Sequence, residues 1–277
     1  MSKFQTNVVA VVPAYNSTDL VIKRVKQLQQ YGFTKIIICD DASSDNTIEN
    51  INTEFGTDVL AIHGEKNLGP GGNRNRCLNA LGSKDEIVLF VDADCELIYE
   101  GNLPDLITNN FSSNKIGVIG FGILDNKQPM HWNYGNLMHP VHEAGDQKAL
   151  EMFEANEITQ EQFVQAAPAL AASLRMAPET VKQVGWVAEG CFAIRADLFK
   201  ELHGFDTNMR YHETHDLNAR VQQLGYKTLF DPTPVVEHLK FDSRFHRRST
   251  DERDGRNYYY KKHWNMSEET FKHLFDE

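Results

Sequence analysis

The sequence predicts an α/β domain built on a mostly parallel sheet flanked by helices. Three observations predict it. Short apolar, β-branched runs recur through the first half of the chain. Stretches with helical spacing separate them, and the loops between are short. Alternation of this kind implies parallel strands joined by crossover helices.

The elements follow in order. Val8-Val9-Ala10-Val11-Val12 is a continuous run, as expected for a strand buried on both faces, and Pro13 is expected to stop it. Residues 17–31 read as a helix with Leu20, Val25 and Leu28 on its apolar side and Gly32 at its end. Ile36-Ile37-Ile38-Cys39 is a second strand, and Asp45 or Ser44 can cap the helix that follows, to about Phe55. Residues 59–62 are a third strand, 71–81 a helix and 87–91 a fourth strand. After Cys95 the rhythm changes. Residues 116–122 read as a strand, and 126–184 as a helical insertion. It opens on an aromatic, His-rich loop (His131, Trp132, Tyr134, His139, His142), contains a capping box at Thr159 and Gln162, and is divided by Pro168 and Pro178. Strand character returns over 186–194, a helix covers roughly 215–224, and 228–230 and 235–236 are two short strands.

The 277 residues suffice for a sizeable core. A net charge of −11 argues against a surface devoted to nucleic acid or anionic lipid. Cys39, Cys77, Cys95 and Cys191 are scattered with no CxxC pair, which reads as buried free thiols of a reducing compartment. No signal-like segment and no apolar run of about 18–20 residues is present, so a cytoplasmic protein, at most peripheral to a membrane, is expected.

Five constellations carry chemistry. Asp40 and Asp41 end the second strand, and Asp92 and Asp94 end the fourth. Ligands of open parallel sheets bind beyond the carboxyl ends of strands, and paired carboxylates there can hold a divalent cation with phosphate oxygens. The two pairs are expected on neighbouring strands. The loop from Asn67 through Gly69, Gly71 and Gly72 to Arg74 and Arg76 lets backbone approach a ligand and adds positive charge, but it is neither a P-loop nor a dinucleotide fingerprint. Gly204-Phe205-Asp206 leads into His212-Glu213-Thr214-His215-Asp216, where Glu213 and Asp216 share a face if a helix begins there, so either can serve as a base. His238 ends a strand, and a neutral imidazole is a good ligand beside carboxylates. Finally, residues 240–263 carry eight Lys and Arg against four acids, with Tyr258-Tyr259-Tyr260 among them. That locally positive segment suits a diphosphate, an anionic lipid surface or a nucleic acid.

In this order the motifs resemble the inverting family 2 glycosyltransferases of the GT-A (Rossmann-like) fold, over most of the chain. Pro13-Ala14-Tyr15-Asn16 is similar to the family's opening motif, and Asp40-Asp41-Ala42-Ser43-Ser44-Asp45-Asn46-Thr47 to its Asp-Asp-x-Ser-x-Asp-x-Thr signature. Asn67, Gly69 and residues 73–79 resemble the next block, Asp92-Ala93-Asp94 the Asp-x-Asp motif, and Gly204-Phe205-Asp206 with Glu213 and Asp216 the acceptor-side block. The resemblance implies one GT-A catalytic domain. Residues 1–95 would bind the nucleotide sugar, 96–240 the acceptor with the insertion on that side, and 241–277 would form a basic, aromatic tail. It implies that Pro13, Ala14, Tyr15, Asn16, Asn67, Gly71, Arg74, Arg76 and Ala93 line the donor site. Asp40 or Asp41 would hold base and ribose, and Asp92 the ribose or a metal-bound water. Asp94 would ligate Mn²⁺ or Mg²⁺, with Asp92 and His238 as further candidates. The donor would be a nucleoside-diphosphate sugar, UDP-sugar favoured. The acceptor would be a hydroxyl of a glycan, a lipid-linked glycan or another molecule, modified nucleic acid included. One departure stands out: the family pattern is Glu-Asp-x-Asp with the second acid as base, and Thr214 occupies that place. Rival readings are a nucleotidyltransferase, which would want a Gly-rich basic loop after the first strand, and a non-catalytic nucleotide- or sugar-binding relative.

Overall fold

The computed structural model describes residues 7–82, 86–125, 127–129, 133–167, 180–239, 248–267 and 269–270. In chain order the elements begin β1 (Asn7–Ala14), α1 (Thr18–Gln30), β2 (Ile36–Asp40), α2 (Thr47–Phe55), β3 (Leu60–His63), α3 (Gly69–Arg74), β4 (Glu86–Val91) and β5 (Cys95–Leu97). Next come α4 (Leu103–Asn110), β6 (Ile116–Asp125), β7 (Gln128–Pro129), β8 (Tyr134–Gly135), α5 (Pro140–Glu154) and α6 (Gln160–Ala166). The chain continues through β9 (Lys182–Val184), β10 (Trp186–Val187), β11 (Cys191–Arg195), α7 (Ala196–Glu201), α8 (Glu213–Gln223), β12 (Lys227–His238) and α9 (Arg248–Trp264).

The main sheet runs β3-β2-β1-β4-β11-β6-β12-β5, with β7 beside β6 and β9 beside β12. β3, β2, β1 and β4 are parallel, and β11 enters antiparallel against β4, with Cys191 opposite Val91. One sheet therefore joins the two sequence halves. Strands β2, β1 and β4 are doubly covered because alternate residues feed two cores, while the edge strand β3 stays partly exposed. Ile36 and Ile38 pack with α1 and α2, whereas Ile37 and Cys39 pack with Phe90, Phe192 and Phe205. Each such side chain removed from water contributes about 1.5–3 kcal/mol. All four cysteines are buried free thiols. Among the described residues no helix is long and apolar enough to cross a membrane.

Several expectations are corrected. β1 continues through Pro13 to Ala14. The Ala10 amide donates to Lys35 on the β2 side, so odd positions face β4, and the β4 ladder ends at Val11. Proline's missing N–H therefore falls where no ladder bond is needed. Asp40–Asp41 and Asp92–Asp94 do not end neighbouring strands, since β1 lies between β2 and β4, but both pairs stay on the carboxyl edge. The helix expected over 71–81 is α3 followed by a 3₁₀ segment, Asn75–Ala80. Neither Ser44 nor Asp45 caps α2. Asn46 holds that position at φ 56, and Asp45 instead binds the Thr18 amide at 3.2 Å. α8 starts at Glu213 rather than 215, after His212 at φ 63.

The two short strands near 228 and 235 are one strand, β12, whose register shifts absorb Pro234. The insertion holds α5 and α6, with the Thr159–Gln162 capping box formed as expected. It also holds strands: β8 pairs β10, and β9 pairs β12. His131, Trp132, Pro168, Pro178 and the basic residues of 240–247 lie outside the described residues. The tyrosine-rich tail is helix α9, whose Tyr259 and Tyr260 are core residues packed with Met209 and Ala219.

Candidate active site

The carboxyl edge of β1, β2 and β4 gathers most of the expected residues. At β1, Tyr15 is 53% exposed and Asn16 sits at φ 48, its amide bonded to the Ser43 hydroxyl at 2.8 Å. Buried Asn73 pins the two strand ends, donating to the carbonyls of Ala14 and, at 2.7 Å, Cys39. Ala14 thus enters this edge through its carbonyl, which also accepts from the Asp41 amide.

Asp40 and Asp41 part company. Asp40 is fully buried on the α2 side, where it accepts from the Ser43 amide at 3.1 Å and meets His63 Nδ1 at 2.9 Å. Asp41 turns to the glycine loop and accepts from the amides of Leu68 (2.8 Å) and Gly69 (2.9 Å) and from Arg76 Nη2 (3.0 Å). Asn67 Oδ1 adds a second bond to the Gly69 amide, at 3.2 Å. The loop needs its glycines: Gly69 has φ 78, and a Cβ on Gly71 would stand 3.1 Å from Phe205 and 3.4 Å from Glu213.

Arg74 is the hub. It is buried to 1% exposure, and Nη2 holds Asp92 Oδ1 at 2.6 Å while Nη1 lies 4.0 Å from Glu213 Oε1. Burial opposes its charge, but Asp92, Glu189 and Glu213 outweigh burial and raise its pKa. Glu213 is 1% exposed; burial, then the neighbouring Glu189 to which it is hydrogen-bonded, push its carboxyl well above the usual range. Glu189 keeps partial exposure. Its neighbour Gly190 accepts from the Asp92 amide at 3.0 Å, which brings the residues before β11 against the Asp92–Asp94 turn.

Asp216 faces elsewhere. Although only one helical turn from Glu213, it is fully buried and tied to Lys262 Nζ (2.6 Å), Arg220 Nε (2.8 Å) and His263 Nε2 (2.8 Å). Burial pushes its pKa up, but these partners prevail and hold it at about 2. Its carboxylate fastens α9 to α8 and is a poor proton acceptor. Thr214 is buried and contributes no acid.

At the far end of the turn, His238 Nε2 stands 3.6 Å from Asp94 Oδ2. The Cys95 thiol completes a group whose donor atoms lie within 4.8 Å of one another. A carboxylate and an imidazole at partly exposed positions fit a divalent ion with sites left for phosphate oxygens. Asp92, the other acid expected there, is engaged by Arg74.

Two residues escaped the sequence reading. Glu189 is one. The other is Arg24, fully buried on α1, which donates from Nη2 to the Ala93 carbonyl at 3.2 Å and from Nη1 to Gln27. Gln27 in turn accepts from the Leu97 amide at 3.3 Å. The Asp92-Ala93-Asp94 turn is thus held by Arg74 on one face and Arg24 on the other. Arg24→Met is expected to lower stability by about 1.5–3 kcal/mol, as for loss of a charged hydrogen bond. It should also speed hydrogen exchange at the Cys95 amide, which bonds Asp92 O at 3.0 Å; urea unfolding and exchange mass spectrometry read both effects.

Comparison with known proteins bears on the family and the fold. Residues 9–169 match the family described as Glycosyl transferase family 2. A UDP-Glc:alpha-D-GlcNAc-diphosphoundecaprenol beta-1,3-glucosyltransferase of Escherichia coli is 33% identical over 86 residues, 30% of this chain; the match spans about a third of that relative, 34% of its length. Among solved structures, a Pyrobaculum calidifontis mannosyltransferase in complex with GDP-Man and Mn²⁺ superposes with TM-score 0.60 at 14% identity, over 98% of this chain and 68% of that one. The glucosyl-3-phosphoglycerate synthase of Mycobacterium tuberculosis, solved with Mn²⁺ and UDP, gives TM-score 0.52 at 15% identity over 92% of this chain and 79% of that one. These likenesses establish the GT-A fold. The family match covers more than half of the 277 residues, and the chain belongs to glycosyl transferase family 2.

Proposed function

We propose that the protein transfers a sugar from a nucleoside-diphosphate sugar, UDP-sugar favoured, to an acceptor hydroxyl with inversion at the anomeric carbon. The observation that carries this is the meeting of Arg74, Asp92, Asp94 and His238 at one sheet edge, with the acid-bearing start of α8 beside them. Family membership supports the reaction class. The relative that acts on a diphosphoundecaprenol-linked acceptor supports a glycan or lipid-linked glycan as acceptor.

The residues divide the work. Tyr15 offers an exposed ring to the nucleobase, and the Asp41–Arg76 pair fixes the loop against which the nucleotide lies. Asp94 and His238 would hold Mn²⁺ or Mg²⁺, which when bound supplies positive charge opposite the leaving diphosphate. Arg74 orients Asp92 toward the ribose side. A carboxylate bordering the Asp92–Asp94 turn receives the hydroxyl proton as the acceptor oxygen bonds to the anomeric carbon and the diphosphate departs with its bonding electrons. Of the two acids expected for that task, Glu213 faces the donor turn and Asp216 is spent on ion pairs.

Incubation with a panel of UDP-, GDP- and TDP-sugars and Mn²⁺ tests the proposal. The expected result is nucleoside-diphosphate release from one donor, stimulated by a glycan or lipid-linked acceptor and abolished by EDTA. Release of pyrophosphate from a nucleoside triphosphate would instead indicate a nucleotidyltransferase, and no turnover with binding intact would indicate a non-catalytic relative.

A further inference from the structure

We propose that Glu189 is the general base, with Glu213 behind it as its hydrogen-bonded partner, so that a carboxylate on the loop before β11 does the work of the acid that Thr214 replaces. The inference rests on the glycosyl-transfer reading above and names the proton acceptor within it.

The argument begins with exclusion. Thr214 has no acidic group and is 5% exposed. Asp216 has no free face, since Arg220, Lys262 and His263 surround it. Asp206 is taken by Lys262 at 2.7 Å and Tyr258 at 3.2 Å. Glu213 is directed at the site but 1% exposed, packed on the backbone of Gly71, and so has little access to an incoming hydroxyl.

Glu189 meets each requirement. It is partly exposed. It lies one residue from Gly190, whose carbonyl is bonded to the Asp92 amide at 3.0 Å, so the loop that carries it borders the turn bearing the donor-side acids. Antiparallel pairing of Cys191 with Val91 fixes that placement through the sheet rather than through a flexible loop. Its carboxyl hydrogen-bonds Glu213 and adds to the charge that sustains Arg74.

Two hydrogen-bonded carboxyls in a site with one arginine hold a proton between them. Burial raises the Glu213 carboxyl, so the buried member keeps its proton and presents it to the partly exposed Glu189. In the transfer, the acceptor O–H bond breaks and its proton goes to Glu189. The acceptor oxygen forms the new bond to the anomeric carbon, and the bond to the diphosphate oxygen breaks with its electron pair leaving on the nucleotide. Arg74, shared by Asp92 and the two glutamates, makes the acceptor side and the donor side one electrostatic unit.

The test compares Glu189→Gln with Glu213→Gln, both isosteric, using the donor that turns over. For Glu189→Gln the expected result is a fall in kcat of about 10²–10⁴-fold, the range of a general base. Donor KM should stay within about threefold, and the melting-temperature rise on adding UDP with Mn²⁺ should be retained. Glu213→Gln should fall less, since Glu189 remains. A Glu189→Gln protein that keeps kcat within about fivefold, that loses the UDP-dependent rise, or that is less impaired than Glu213→Gln would overturn the assignment. If Glu189→Gln melts far below the parent, Glu189→Asp supplies the second arm: a base retained but withdrawn should recover part of kcat, whereas a packing residue should recover none. A parent protein inert with every donor defeats the glycosyl-transfer reading itself, whereas an active parent with an active Glu189→Gln defeats this assignment alone.

Discussion

Arg74→Met is expected to lower the unfolding free energy by about 3–5 kcal/mol, the loss typical of removing one partner from a buried ion-pair network. For a chain of this size that corresponds to roughly 5–9 °C in melting temperature. Arg74 is the cation between Asp92, Glu189 and Glu213, and its guanidinium is buried. Without it, Glu213 loses the group that best offsets its burial, and Asp92 loses a bond of 2.6 Å. Methionine matches the length of the stem but not the charge, so the effect isolates electrostatics from packing. Arg74→Lys keeps the charge and loses the planar fork that reaches two acids, and should fall between. Urea unfolding of the three proteins at pH 7 reads the effect; a loss below about 1 kcal/mol for Arg74→Met would mean that the network does not hold the site together.

Acidification should remove stability in two windows. Burial, and then Arg256, depress His212 from 6.5 to about 4, and burial, then His212, depresses His215 in the same direction. A histidine with a lowered folded pKa takes up its proton first in the unfolded chain, so stability falls as pH drops from about 6.5 toward 4. Asp216 is the acid case. Its folded pKa of about 2 against an ordinary 3.8 gives a contribution present above pH 4 and lost as pH falls toward 2. By linkage that contribution is about 2–3 kcal/mol. Asp216→Asn should flatten the lower window. It should also cost about 3–5 kcal/mol at pH 7, because Lys262, Arg220 and His263 lose their shared carboxylate. Urea midpoints from pH 7 to pH 2 measure both windows; a flat profile would contradict the buried, neutral state assigned to His212.

Much of the sheet's carboxyl edge was legible because strand ends announce themselves. Unbroken β-branched runs at β1, β2 and β4 located the carboxyl edge, and an acid just beyond a buried run has few places to go. The residues that pack against the Asp92–Asp94 turn and around α8 were harder to read. Arg24 lies on the buried face of α1, where a periodicity argument assigns a charge to water. Only the tertiary approach of the Ala93 carbonyl makes it an interior group. Glu189 stands alone between Ala188 and Gly190, with no spacing to mark it. Its partnership with Glu213 arises from β11 running antiparallel against β4, a crossing that local pattern does not encode. Asp216 and Glu213 looked interchangeable on a helical wheel, yet α9 arrives from far along the chain to occupy one of them. The same helix shows why the basic tail misled: Lys262 is bound to two acids, and Tyr259 and Tyr260 are core. β12 read as two strands because Pro232 and Pro234 interrupt its pattern, while a bulged parallel pairing tolerates them.

The central claim is a metal-assisted nucleoside-diphosphate site built on Asp94 and His238. Calorimetric titration of UDP into the protein, with Mn²⁺ and with EDTA, in the parent and in Asp94→Ala, tests it most directly. The account predicts that Mn²⁺ tightens UDP binding at least tenfold, about 1.4 kcal/mol, and that Asp94→Ala reduces the affinity to the EDTA level. Equal affinity with and without the metal in the parent, or an undiminished Mn²⁺ effect in Asp94→Ala, would contradict it.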